Sequence, residues 1–253
     1  MSEQKLEIKN VSKRFGNVIA CNDVNLQITP GTSTSIIGPN GAGKSTLLNI
    51  ICGEVLPDRG NVMWQDTLLI GHTIQDIARL GIARMFQDLK LFDAMTVYEN
   101  MLVYAQTITR YRRAAPQRFV AGSDNIDEQI EVALRQLNLL DVADRRVREL
   151  SYAERKLVAL GRVMITRASV VLLDEPASGL DKVNLEIMLE VIEALKASGT
   201  VLLVVEHNLS IVERLASRAI LIEEGSVIAD GSPAEVFRDS NFGRVYFALQ
   251  ETT

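Results

Sequence analysis

The stretch "GPNGAGKS", Gly38 to Ser45, constrains this chain more than any other. It fits G-x-x-x-x-G-K-[ST] and joins an apolar run of strand character, "TSTSIIG", to a helical one, "KSTLLNIICG". Glycines let a backbone wrap closely around phosphate oxygens, and successive N–H groups turned inward form an anion nest. The helix starting near Lys44 adds the positive end of its dipole. In such a loop Lys44 reaches the β- and γ-phosphates, and Ser45 offers a hydroxyl to Mg²⁺. The strand-then-helix context is what separates a phosphate loop from a chance glycine-rich turn.

The rest of the chain supplies a matching frame. Residues up to about Gly31 alternate in strand fashion, "KLEIKNVSKRF" and then "VIACNDVNLQITPG", closing on a Pro-Gly turn. A short strand and a helix then lead to "LGIARMFQ", expected as a strand ending at Gln87. From Met95 to about Arg167 the texture turns helical, with Thr96 and Glu99 at capping-box spacing and acids in the first turn of "DNIDEQIEVALRQLNLL". Between two of these helices lies "RYRRAAPQRFVAGS", a basic connector whose sharper reading is a contact with a partner or anionic lipid. From Ser169 onward buried-type strands alternate with helices, including a helix over Lys182 to Ala197, which indicates a mostly parallel sheet covered on both faces.

Bulk properties narrow the options. No run approaches the ~18 apolar residues of a membrane span, and the polar N-terminus "MSEQKLEIKN" lacks a secretion signal's apolar core. Net charge is −5, which disfavours a dedicated nucleic-acid binder. Cys21 and Cys52 have no metal-ligand spacing and read as reduced core residues of a cytosolic protein.

Further candidates fall at strand ends. "VVLLDEP", Val170 to Pro176, is a buried strand tipped by two acids: Asp174 placed to hold Mg²⁺, Glu175 to polarise an attacking water as general base. Gln87 could touch Mg²⁺ or that water, and His207, just past "TVLLVVE", could bond the γ-phosphate or the water. Phe15 precedes a glycine in an early loop and either stacks on an adenine ring or packs into the core. "SGLD", Ser178 to Asp181, reads by itself as an ordinary helix cap.

In this order the motifs resemble the nucleotide-binding subunits of ABC transporters, along nearly the whole chain. "ARLGIARMFQDLKLFDAMTVYENMLV" and "VVEHNLSIVERLASRAILIEEGSVIADGSPAEV" are similar, more narrowly, to the ATPases of branched-chain amino acid importers. The resemblance implies an α/β phosphate-loop NTPase with a mostly parallel core sheet, an N-terminal antiparallel β subdomain and an inserted helical subdomain. Residues 1–94 and 168–240 would form the core, 95–167 the helical part and 241–253 a C-terminal tail. It also implies ATP and Mg²⁺ as ligands and a head-to-tail dimer enclosing two ATP molecules. Phe15, Gly38, Asn40, Gly41, Ala42, Gly43, Lys44, Ser45 and Thr46 would meet one ATP, and Ser151, Ala153, Glu154 and Asp181 would face the partner's. Ser45, Gln87 and Asp174 are the metal candidates; Glu175, His207 and Gln87 are the catalytic ones.

One segment departs from the family pattern. Its usual L-S-G-G-Q stands here as Leu150, Ser151, Tyr152, Ala153, Glu154. Tyrosine at the first glycine position suits the amino-acid-importer branch, and Ala153 should cost mainly close approach. Ser151 and Glu154 have capping-box spacing, worth ~1 kcal/mol to a helix end. A carboxylate ~6 Å from a phosphate charge would instead repel it by ~3 kcal/mol at an effective dielectric near 20, less if the cap holds it away. This favours a heterodimer with a second ATPase of regular signature. The expected role is a peripheral subunit at the cytoplasmic membrane face, powering import of amino acids or similar solutes through transmembrane permease subunits, with a solute-binding protein as a possible partner. Lipid or lipopolysaccharide export is the alternative, and a soluble nucleic-acid clamp a remote one.

Overall fold

The computed structural model describes residues 5–112 and 125–247. Two sheets organise it. Strands β1 (Leu6–Phe15), β2 (Val18–Ile28), β4 (Arg59–Trp64) and β5 (Thr67–Leu68) form an antiparallel sheet in the order β2-β1-β4-β5. The second sheet contains β3 (Ser33–Ile37), β6 (Ile82–Met85), β7 (Val170–Asp174), β8 (Val201–Val205), β9 (Arg218–Glu223) and β10 (Ser226–Gly231). Its order is β10-β9-β3-β8-β7-β6, parallel throughout except for the antiparallel β9–β10 edge.

The central strands β3, β7 and β8 are buried at every position. Side-chain alternation sends their residues to two different cores. Val171, Leu173, Leu202 and Val204 face a core shared with α3 (Val97–Arg112), α4 (Ile126–Gln136), α5 (Tyr152–Thr166) and α6 (Lys182–Ala197). Val170, Leu172, Leu203 and Val205 face the antiparallel sheet and α1 (Lys44–Ile51). The sheet is therefore a slab with the site at the C-terminal ends of its strands and a different layer on each face.

Local chemistry explains the helix starts. At α3, the Thr96 N–H donates to Glu99 Oε2 (2.8 Å) and the Glu99 N–H to Thr96 Oγ1 (3.1 Å), the expected capping box. Asp181 caps α6 through the N–H groups of Val183 and Asn184. These bonds hold the Asp181 carboxyl below the usual carboxylate range.

Three expectations need adjustment. The strand predicted to reach Gln87 stops at Met85, because it is an edge strand whose ladder ends at the Met85–Leu173 pair. Gln87 lies on the loop beyond. A helix α9 (Ser240–Phe247) stands at the start of the expected tail, anchored by buried Phe242, whose ring centroid lies 5.0 Å from that of Phe237 on α8 (Pro233–Arg238). The basic connector is helical through Arg112, and its residues 113–123 lie outside the described residues. The two cysteines are free and buried, and burial pushes the Cys52 thiol up to about 12 and that of Cys21 to about 11.

Candidate active site

The phosphate loop is pressed between neighbouring backbones. A Cβ at Gly38 (φ 149°) would lie 2.1 Å from the Ile222 carbonyl oxygen, and one at Gly43 (φ 103°) 1.9 Å from that of Ala20. Only glycine fits either position. At Gly43 the chain turns into α1, whose first turn has neither a side-chain cap nor an acidic residue. Its leading N–H groups are left without a side-chain cap, the arrangement that attracts an anion. Asn40, Gly41 and Ser45 are exposed around this end, Thr46 is half-buried and Ala42 is buried.

Lys44 folds back over the loop. Its buried ammonium donates to the Gly38 and Pro39 carbonyls at 2.7 Å each. Burial pushes its pKa down, and the carboxylates of Glu175 and Asp174 oppose that shift, so the three groups share one electrostatic neighbourhood.

The acidic strand tip follows from β7. Asp174 is buried; its Oδ2 accepts from Arg84 at 2.8 Å, and Oδ1 has no hydrogen-bond partner among the described residues. Arg84 also reaches Asn49 (2.6 Å) and Glu54 (3.3 Å). Leaving a buried carboxylate oxygen bare is costly, and a divalent cation or one of its waters would satisfy it. Mg²⁺ is held through one or two protein groups together with phosphate oxygens. The oxygen-bearing side chains of Asp174, Ser45 and Gln87 fit that requirement, and among the described residues there is no cluster of three or more His, Cys, Asp or Glu to cage a metal alone. When bound, the ion neutralises charge on the phosphates.

Glu175 departs from the strand in the left-handed region, φ 49°, an unfavourable conformation for a residue with a side chain. Two other candidates converge on it. The Gln87 amide donates to Glu175 Oε2 at 3.2 Å, and His207 Nδ1 stands 3.9 Å from Glu175 Oε1, beyond direct bonding. These contacts aim one carboxylate oxygen and leave the other toward the exposed imidazole. Phe15 is 49% exposed at the end of β1, with Lys13 Nζ 5.4 Å from its ring centroid, and so takes no part in the core. Beside it, Asn17, Val18 and Ile19 line an open cleft with Gly41 and Ser226.

The altered segment is self-contained. Glu154 Oε2 accepts from both the Ser151 N–H (2.7 Å) and the Ser151 hydroxyl (2.8 Å), while the Glu154 N–H donates to Ser151 Oγ (3.2 Å). The capping box at α5 is formed. Ala153 is buried, so the methyl expected to hinder close approach packs within the chain, whereas Ser151 and Tyr152 are exposed.

Three charged residues escaped the motif reading: Arg84 beside Asp174, Lys156 in α5 and Glu206 just before His207. All are buried or nearly so. Arg84 and Glu206 each stood as a lone acid or base in an apolar stretch, whereas Lys156 ends the charged run Glu154-Arg155-Lys156 and stands out only on its helical face.

Fold and site together define a phosphate-loop nucleoside triphosphatase. The ABC transporter family model matches residues 21–178, and the chain belongs to that family as an ATP-binding, ATP-hydrolysing subunit. It is 33% identical to the high-affinity branched-chain amino acid transport ATP-binding protein LivG of Escherichia coli K12, over 97% of this chain and 98% of that protein. A probable LivG of Archaeoglobus fulgidus is 32% identical, covering 98% of this chain and 96% of its own length. Among solved structures, an ABC transporter cassette in its ADP conformation superposes with a TM-score of 0.82 at 28% identity, over 96% of this chain and 98% of that one. A dimeric bacterial ABC transporter cassette matches at 25% identity and TM-score 0.77, over 90% and 98%.

Proposed function

We propose that this chain is the peripheral ATPase of an importer for amino acids or similar small polar solutes, bound at the cytoplasmic membrane face to separate transmembrane permease subunits. The relatives named for branched-chain amino acid transport support the solute class. No described helix is long and apolar enough to cross a membrane, which fits a subunit that borrows its pore from other chains. Residues 95–167, the helical part, pass the motion of the nucleotide site to those chains. A solute-binding protein would deliver the cargo.

The observation that carries the catalytic reading is the convergence of Gln87 and His207 on Glu175, beside Lys44 and Asp174. Lys44 and the N-terminus of α1 hold the phosphates, with Phe15 against the base. Asp174, Ser45 and Gln87 hold Mg²⁺. Glu175 takes the proton of the attacking water, and Gln87 fixes the direction of its carboxylate. His207 supports the water or the γ-phosphate. Ser151 and Asp181 face the ATP of a second, different ATPase subunit with a regular signature. The self-capped α5 terminus is the reason to favour a heterodimer.

The test is Glu175→Gln. It removes the base but keeps size and hydrogen bonding, so hydrolysis should fall by roughly 100-fold or more while ATP affinity, measured by equilibrium titration, stays unchanged. Retained turnover would overturn the role of Glu175.

A further inference from the structure

The loop that follows β7 is held by two buried charges. Lys156, only 1% exposed, sends its ammonium from α5 to the carbonyls of Glu175 (2.6 Å) and Ser178 (2.5 Å). Glu206, also 1% exposed, accepts the Ala177 N–H at 2.9 Å and the His207 N–H at 3.3 Å. The Glu175 N–H is held by Val205 (2.9 Å). Backbone groups on both flanks of Pro176 are thus pinned, next to Glu175, whose left-handed φ of 49° costs roughly 1–2 kcal/mol.

A buried charge is expensive unless paired and hydrogen-bonded. Burial lowers the Lys156 pKa and raises that of Glu206, and each opposes the other's shift. Apolar residues would fill the same space without that cost, but none could donate to two carbonyls and accept an N–H. Lys156 lies one turn beyond Tyr152, whose ring stands 5.5 Å from the ammonium and packs on Gly179 of the same loop. The helix that begins at Ser151 is therefore bolted to the loop that carries Glu175.

We infer that Lys156 and Glu206 are positioning residues for hydrolysis, which hold the Glu175–Ser178 backbone so that the Glu175 carboxylate and the Ser151 end of α5 move as one body. This rests on the assignment of Glu175 as the base. Neither residue touches nucleotide, so their loss should separate turnover from binding.

The experiment compares Lys156→Met, Lys156→Arg, Glu206→Met and Glu175→Gln in the full chain, alone and with its co-purifying subunits, by ATP hydrolysis rate, affinity for a non-hydrolysable ATP analogue and thermal unfolding. Lys156→Met should lose about 10- to 100-fold in kcat, the range expected when a reacting group is slightly misplaced, with analogue affinity preserved. Lys156→Arg, which can still donate to both carbonyls, should recover part of the rate. Unchanged kcat in folded Lys156→Met, or an equal loss of kcat and affinity, overturns the inference. If Lys156→Met does not fold, Glu206→Met, which cannot accept the Ala177 N–H, decides: reduced kcat with intact affinity supports the clamp, and wild-type kcat refutes it. An active Glu175→Gln would fail the underlying assignment instead, whereas an inactive Glu175→Gln beside a fully active Lys156→Met fails the clamp alone.

Discussion

The N-termini of α1 and α5 differ where a shared task would make them alike. The first has no side-chain cap and no acid in its opening turn, and a buried lysine folds over the loop that feeds it. The second has its leading groups occupied by its own Glu154, which takes both the N–H and the hydroxyl of Ser151. One end is open to an anion; the other supplies its own. The contrast teaches that two helix termini of one chain can differ in readiness for phosphate through a single carboxylate three residues inside the helix. For Ser151 to donate to a phosphate, its hydroxyl must first release Glu154.

The largest effect should come from breaking the open end. Lys44→Ala removes a charge and two bonds to the loop carbonyls. ATP binding should weaken by roughly 10- to 100-fold, the value of a charge-assisted contact or two. Near-normal affinity by titration would mean that α1 and the glycine backbone bind phosphate without it.

The smallest should come from the sheet behind that end, which serves as a control for the comparison. Thr34 is fully buried in β3 and its hydroxyl has no partner among the described residues. Thr34→Val keeps the shape and removes an unsatisfied group, so chemical denaturation should show a change within about 0.5 kcal/mol or a slight gain. A clear loss would mean that the hydroxyl is bonded in solution, and that the base of the phosphate loop depends on it.

Much of this was legible in the residues. Strand and helix positions followed from periodicity, and the boundaries of α6 and both capping boxes, at Thr96 and Ser151, stand where spacing placed them. Gly38, Gly43, Lys44, Asp174 and Glu175 were visible because phosphate chemistry demands those residue types in that order. What escaped was tertiary. Lys156 sits on the same helical face as buried Ala153, Leu157 and Leu160, a charge on an apolar stripe, but no local rule says which carbonyls it will meet. Arg84 interrupts an apolar strand, and its partner Asp174 is 90 residues away. Ala153 looked like an obstruction because spacing gives neighbours along a helix, not the side on which a methyl will be buried.

The contrast between the two helix ends is tested most directly by the ATP turnover of the purified chain with and without Glu154→Gln. Glutamine at 154 can still accept from Ser151 through its amide oxygen, but without the charge the α5 terminus loses a favourable dipole contact worth about 0.3–1 kcal/mol and holds the Ser151 hydroxyl less tightly. Slow turnover by the chain alone, raised several-fold by this substitution while thermal stability falls slightly, is the predicted result. Robust turnover by a dimer of this chain, indifferent to Glu154→Gln, would contradict it.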